Sequence, residues 1–167
     1  MDLRRASDSS VGFLNPSERR GAASHVRAGR YSWRVGVCRL ILAGKGIQVR
    51  GAEELRELLA PLRAGRPAEV WLENPPHGNL CLLSNGREAL LTHLPDTEGE
   101  HPGWTTRAAE GEDRNKAVSG FVLSNGQVDE FPVSWVVPLE EGITAFLHFS
   151  THGTRAPWLT WHDDSLP

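Results

Sequence analysis

The sequence lacks the features that mark membrane and secreted proteins. No apolar run approaches the ~18 residues that a membrane helix needs, and Arg4 and Arg5 are not followed by the apolar core and cleavage site of a secretory signal. There are only two cysteines, Cys38 and Cys81, and each lies in an apolar stretch. We therefore expect two buried thiols rather than a disulfide scaffold, in a cytoplasmic protein that does not span a membrane.

Motifs of enzymes and of cofactor binding are missing as well. The sequence has no Gly-x-Ser-x-Gly elbow, and the segment 44–46 (GKG) lacks both the spacing and the following Ser or Thr of a phosphate-binding loop. Adjacent acids are typical of solvated surface charge; they occur at Asp129–Glu130, Glu140–Glu141 and Asp163–Asp164. The sequence predicts a non-enzyme without a cofactor.

Length and composition predict one folded domain. The chain has 167 residues, of which 39% are hydrophobic and 23% charged, and this is enough for one core and too little for two. Residues 1–30 are rich in Ser, Gly, Ala and Arg with few large apolar groups, so we expect a disordered leader there. An over-called start codon is the alternative explanation of that segment. Residues 31–167 are then the single domain.

Charge is unevenly distributed along the chain. Residues 1–30 carry six Arg and three acids, whereas residues 96–167 carry 12 acids against four basic residues, a net charge of −8. Such an acidic surface repels nucleic acid and attracts a basic protein. On charge alone, a role in solubility remains an alternative.

Apolar periodicity predicts a first helix after residue 50. Its stripe is Leu55, Leu58, Leu59 and Leu62, with acids in the first turn, Gly65 as a cap and Pro61 bending the last turn. A second helix is predicted from Pro138, as the first helical residue, to about Ser150; Gly153 ends it, and its stripe is Leu139, Ile143, Phe146 and Leu147.

The remaining apolar runs predict strands. They are Val37–Leu42 with 47–49, Ala68–Glu73, Asn79–Leu83, Glu88–Leu94, Phe121–Leu123, Gln127–Phe131, a short strand at Trp104, and a last strand Pro157–Trp161. Asn-Gly at 85–86 and at 125–126 predicts two hairpins with type I′ turns. Antiparallel hairpins with two main helices packed on the sheet give an α+β class.

Two groups of side chains are candidates for function. His148 and His152, at helical i, i+4 spacing, would need His162 and a folded-back last strand to complete a metal site, and the Glu of a zinc-protease motif is missing. Among the six tryptophans, Trp104 lies inside the acidic segment 96–116, as expected for an aromatic anchor with a polar rim. Trp158 and Trp161 are expected on opposite faces of the last strand.

The C-terminal third resembles the ending of the Imm1 immunity proteins of bacterial polymorphic toxin systems. The resemblance rests on a Pro-x-Glu helix start, an aromatic, and a Gly-x-Arg turn leading to a tryptophan strand; the residues are Pro138, Glu140, Phe149, Gly153, Arg155, Trp158 and Trp161. Ala156 departs from the proline that the family has after its arginine. The arginine and tryptophans also have a structural explanation, since Arg155 can pair with an acid to fix the turn and Trp161 can close the core.

The resemblance implies an α+β protein that binds and inhibits a cognate toxin, typically a nucleic-acid deaminase. A basic toxin surface would be covered by the acidic part of this chain. The expected toxin contacts are Asp96, Glu98, Glu100, Trp104, Glu110, Glu112, Asp113, Asp163 and Asp164.

Two other functions remain open from the sequence. One is a small metal-dependent hydrolase that uses His148, His152 and His162. The other is an interaction protein without inhibitory action. The sequence leaves the oligomeric state open.

Overall fold

A computed structural model describes residues 37–95, 101–107 and 116–166, which all belong to one compact unit. The predicted leader 1–30 lies outside the described residues. So do residues 96–100 and 108–115, which contain six of the nine expected toxin contacts: Asp96, Glu98, Glu100, Glu110, Glu112 and Asp113.

The described residues form ten strands and two α-helices. The strands are β1 (Cys38–Leu42), β2 (Lys45–Val49), β3 (Ala68–Glu73), β4 (Asn79–Ser84), β5 (Glu88–Leu94), β6 (Trp104–Arg107), β7 (Ala117–Val122), β8 (Val128–Pro132), β9 (Val137–Pro138) and β10 (Thr160–Asp163). The helices are α1 (Ala52–Leu59) and α2 (Leu139–His152), and 3₁₀ turns cover Ala60–Ala64 and Val133–Trp135. The predicted α+β class is confirmed.

Eight of the strands form one antiparallel sheet in the order β10-β6-β5-β4-β3-β1-β2, with β9 also paired to β5. One edge of β5 is shared by two partners: Ala89 lies opposite Val137 in β9, and His93 lies opposite Trp104 in β6. On the other side of β6, Trp104 lies opposite Asp163 of β10. The acidic C-terminal strand is thereby placed at the edge of the sheet, beside the strand that carries Trp104.

The two helices cover one face of this sheet, here called the helix face. Leu40, Leu72 and Leu80 lie in register on β1, β3 and β4, and each is at most 1% exposed. Against this row pack the buried faces of the helices, which supply Leu55 and Leu59 from α1 and Ile143, Phe146 and Phe149 from α2. Each such side chain contributes about 1.5–3 kcal/mol by leaving water, so this cluster is the main core.

The β7–β8 hairpin covers part of the opposite face. Phe121 from β7 is completely buried against Cys81, Leu83 and Leu90 of the sheet, with Trp135 at the margin. The fold therefore has three layers: helices, sheet and hairpin. Both cysteines are buried as predicted, and burial raises the pKa of each thiol.

Both helices follow the prediction closely. Pro61 lies in the 3₁₀ turn that continues α1, and Gly65 ends that turn with a left-handed φ of 76°. Pro138 precedes α2 as the N-cap, rather than being its first helical residue, and α2 runs on to His152 before Gly153 ends it at φ 67°. The apolar stripe of each helix faces the sheet.

The two Asn-Gly hairpins are present, but the type I′ turns predicted for them are wrong. Type I′ needs positive φ at both central residues, and only Gly86 and Gly126 have it there. Instead, the Asn85 side chain accepts hydrogen bonds from the amides of Arg87 and Glu88, which fixes a wider loop. Positive φ at two successive residues occurs in the β1–β2 turn, at Ala43 and Gly44.

The predicted last strand Pro157–Trp161 is also wrong in its start. Residues 157–158 form a turn, and the strand begins at Thr160. Trp158 therefore lies outside the strand and is 48% exposed, so it does not alternate with Trp161 across the sheet.

Candidate functional site

Three of the expected contact residues lie within the described chain, and all three lie where β6 pairs with β10. Trp104 of β6 is paired with Asp163 of β10, and Asp164 follows directly, with its amide donating to the Gly103 carbonyl at 3.0 Å. Trp104 lies opposite His93, whose ring contacts Phe149 of α2, so Trp104 and Asp163 point toward the helix face. The Asp164 carboxylate instead meets Thr105 and Arg107 on the opposite face. The place where β6 pairs with β10 is called the β6–β10 corner below.

Trp104 is half-buried, and its ring already has neighbours in the β6–β10 corner. The His101 ring stacks on it with centroids 4.2 Å apart, and the Arg155 guanidinium lies 4.0 Å from its centroid. His93, its neighbour on β5, stacks at 5.6 Å. Only part of the indole is therefore exposed.

The two acids of the corner also have partners. Asp163 accepts from the Ser165 amide at 3.0 Å and from its hydroxyl, and lies 3.2 Å from His101 Nε2. These hydrogen bonds, and then the charge of His101, hold the pKa of Asp163 below its usual value. Asp164 accepts from the Thr105 hydroxyl at 2.6 Å and pairs with Arg107 at 3.5 Å. Both carboxylates are fixed in position and only partly exposed.

His93 is the functional candidate that sequence reasoning missed. It is 8% exposed, its Nε2 lies 3.0 Å from the His77 carbonyl, and its Nδ1 is buried without a hydrogen-bond partner. Burial lowers the pKa of His93, and the positive charges of Arg155 and His101 lower it further, against the opposing effect of the His77 carbonyl. The sequence feature that could have identified His93 is the alternation of side chains in β5, which puts His93 on the same face as Ala89 and Leu91.

The motif residues of the C-terminal third fix the chain around α2. Glu140, in the first turn, accepts two hydrogen bonds from Arg63, at 2.7 and 2.8 Å, which ties α2 to the turn after α1. At the other end, a β-carbon at Gly153 would overlap the His77 ring. Pro138 sets the start of α2 as its N-cap.

Arg155 and the tryptophans define the turn that leaves α2. The Trp161 indole donates to the Ala156 carbonyl at 3.0 Å and packs against the main core, as predicted for a residue that closes it. The ion pair expected for Arg155 is not found among the described residues, where no acid lies within 4.0 Å of its guanidinium. The guanidinium stacks on Trp104 instead. Trp158 meets the edge of His148 at 5.1 Å.

The three histidines proposed as metal ligands are not gathered into a site. His148 and His152 stack at 4.3 Å on α2, whereas His162 lies on β10, paired with Thr105. In residues 37–95, 101–107 and 116–166, no group of three or more His, Cys, Asp or Glu has the geometry to hold a metal ion. The alternative of a hydrolase built on these histidines lacks its ligand set in this part of the chain.

In the described part of the chain, no helix has the length and apolar character required to cross a membrane.

Comparison with known proteins adds one finding. The model of a protein family described as "Immunity protein Imm1" matches residues 43–163. The match covers every site residue named in this subsection except Asp164 and Ser165. No curated protein matches the chain.

Proposed function

The chain belongs to the Imm1 family of immunity proteins, and from this premise we propose that it binds and inhibits a cognate polymorphic toxin without performing chemistry itself. The observation that carries the proposal is the family match over residues 43–163, which is more than half of the chain. The arrangement of the β6–β10 corner supports it, because fixed side chains that are partly exposed suit binding.

The toxin is proposed to be a basic, nucleic-acid deaminase acting in the same cytoplasm, with its active site covered in the complex. A deaminase that acts on nucleic acid needs a surface that attracts phosphates. The net charge of −8 over residues 96–167 is complementary to such a surface. The deaminase class itself comes from the resemblance to the family.

The proposed contact surface is the β6–β10 corner together with the acidic residues on either side of β6 in the chain. Asp163 and Asp164 lie on or directly after β10, which pairs with β6. The other acids are Asp96, Glu98, Glu100, Glu110, Glu112 and Asp113, in the segments immediately before and after residues 101–107. Proximity in the chain is what supports their inclusion.

Protection of cells tests the function directly. Expression of the toxin encoded beside this protein is expected to stop growth, and co-expression of this chain is expected to restore it while forming a stoichiometric complex. Complex formation without restored growth would favour the interaction protein without inhibitory action.

Charge reversal tests the proposed surface. Two double variants, Glu98→Lys with Glu100→Lys and Glu110→Lys with Glu112→Lys, are expected to slow association with the toxin on the order of tenfold, because they remove attraction during encounter. The matched control is Glu57→Lys with Glu130→Lys, two exposed acids outside this surface. Unchanged affinity of the test variants at low salt would exclude this location.

A further inference from the structure

Two arginines in the described chain are half-buried, and both lie over a tryptophan. Arg107 has its Cζ 3.6 Å from the centroid of Trp135, and Arg155 has its Cζ 4.0 Å from that of Trp104. The other described arginines are exposed. The contacts of these two arginines can be compared directly, because both stack on a tryptophan while their other contacts differ.

Arg107 has the partners that a partly buried cation needs. It pairs with Asp164 at 3.5 Å and donates to the Thr106 carbonyl at 3.0 Å, and the side chains of Arg107 and Asp164 are only 19% and 23% exposed. Removing a guanidinium from water costs free energy unless hydrogen bonds and an opposite charge replace the water. For Arg107 both replacements are present.

Arg155 makes neither kind of direct contact. Throughout the described residues, no hydrogen bond or ion pair reaches its guanidinium. Burial lowers the pKa of Arg155, and the charge of Asp163 opposes that decrease only in part. That carboxylate is already held by Ser165 and His101. The desolvation of Arg155 is therefore offset only in part, by the two rings, by the charge of Asp163 and by the water that its donors still reach.

The guanidinium is nevertheless held in a defined place. The ring centroid of Trp104 lies 4.0 Å from the Arg155 Cζ and that of Trp161 lies 5.9 Å from it, so two rings restrict the orientation of the guanidinium. None of its nitrogens is a buried atom without a partner. Its donors consequently reach solvent, and a planar fork of donors held in advance loses little entropy when it binds.

We propose that Arg155 is the receptor for one carboxylate of the toxin, bound through paired guanidinium–carboxylate hydrogen bonds beside Trp104. This inference rests on the proposed function and places a specific polar contact within the β6–β10 corner. A carboxylate matches the donor fork in geometry and charge. A nucleic-acid phosphate is disfavoured, because its neighbouring phosphates would meet the net charge of −8 of residues 96–167. A single acid on an otherwise basic toxin avoids that repulsion.

The test measures affinity for the toxin encoded by the adjacent gene, using the full chain and its variants. Arg155→Met keeps an unbranched side chain over Trp104 and removes the charge, and it is expected to weaken binding on the order of tenfold to a hundredfold. Arg155→Lys, which keeps the charge without the fork, is expected to lie between Arg155→Met and wild type. The control is Arg39→Met, which removes an exposed arginine paired with Glu73 outside the proposed surface, and it is expected to leave affinity within threefold.

A coupling measurement separates binding from a structural role. Each acid on the toxin surface is replaced by Ala and measured against wild type and Arg155→Met. One acid is expected whose replacement weakens binding to wild type but not to Arg155→Met, as required for a direct pair.

Three results would overturn the inference. Affinity of Arg155→Met within twofold of wild type removes the carboxylate receptor and leaves the immunity function intact. Weakened binding without any coupled toxin acid assigns Arg155 a structural role only. Absence of binding by the wild-type chain overturns the proposed function and this inference with it.

Discussion

Single residues in and beside the β6–β10 corner are buried or closely packed by their neighbours. His93 is buried with one ring nitrogen unpaired, and Arg155 and His101 add positive charge nearby. Gly153 lies so close to His77 that a side chain there would overlap the ring. Each of these environments has a measurable consequence for stability.

Stability is expected to fall in mild acid because of His93. Its pKa in the folded protein is lowered, mainly by burial, so the unfolded chain takes up this proton at higher pH than the folded chain does. The stabilising contribution is complete above the unfolded pKa of about 6.5 and is lost as pH falls below it, by at most about 1.4 kcal/mol per pH unit. Urea unfolding at pH 7.5 and 5.5 measures the change. His93→Gln should have a smaller pH dependence than wild type; an equal dependence would contradict this assignment.

Gly153→Ala is expected to destabilise the protein more than Gly65→Ala. Both glycines have left-handed φ, which costs an alanine about 1 kcal/mol, but a β-carbon at Gly65 meets open space, whereas one at Gly153 must displace the His77 ring. Thermal unfolding of the two variants gives the difference. Equal losses would mean that His77 moves aside freely, and His77→Ala in the Gly153→Ala background should otherwise recover part of the loss.

The elements show how far sequence reasoning reaches. Leu55, Leu58, Leu59 and Leu62 predicted α1 and its continuation because helical spacing is a local property. Alternation in β5 likewise fixed which residues share a face, but not which strands pair with it, since pairing depends on contacts far apart in the chain. The shared edge of β5, with β9 at one end and β6 at the other, was therefore not predictable.

Side-chain chemistry at element ends was harder to predict than the elements themselves. The Asn85 side chain satisfies the loop amides, so the backbone does not need a type I′ turn. Trp104, Asp163 and Asp164 were chosen from charge and aromatic character, and their role as toxin contacts stays a prediction. The contacts of Arg155, and the burial of His93 beside it, depend on β6 and the end of α2 meeting in space.

The hairpin layer is expected to depend on Glu69. Its carboxylate accepts from the Ser124 amide at 2.6 Å and from the Trp71 indole at 2.7 Å, which ties the β7–β8 turn to the sheet. Burial raises the pKa of Glu69, but these hydrogen bonds outweigh burial, so the pKa lies below its usual value. Glu69→Gln should cost about 1–2 kcal/mol and increase amide hydrogen exchange in β7 and β8.

The control for Glu69 is Glu73→Gln on the same strand. Glu73 pairs with Arg39 at 3.2 Å on the surface, where ion pairs contribute about 0–1 kcal/mol. Equal hydrogen exchange in the two variants would show that Glu69 does not hold the hairpin.

At the scale of the whole molecule, family membership implies a cognate toxin as the partner, and the charge distribution supports the proposal that this toxin is basic. The Imm1 match covers residues 43–163, and the negative charge is concentrated in residues 96–167. The contact surface proposed here combines long-range attraction by acids with one short-range contact at Arg155. These two contributions differ in how they respond to salt.

Association with the toxin is expected to slow on the order of tenfold between 50 and 500 mM salt, while dissociation changes much less, because screening acts mainly on the encounter of separated charges. Surface plasmon resonance at several salt concentrations measures both rates. The double variants at Glu98 with Glu100 and at Glu110 with Glu112 should show a weaker salt dependence than wild type. A salt-independent association rate would contradict steering by these acids.

The contact between Arg155 and Trp104 also makes the fluorescence of Trp104 sensitive to whatever binds at Arg155. Indole emission depends on the polarity and charge around the ring, and Trp104 has a guanidinium at 4.0 Å and an imidazole at 4.2 Å. A carboxylate arriving at Arg155 would change that field directly. Subtracting the spectrum of a Trp104→Phe variant would then isolate a native fluorescent reporter of occupancy, without any label attached to either protein.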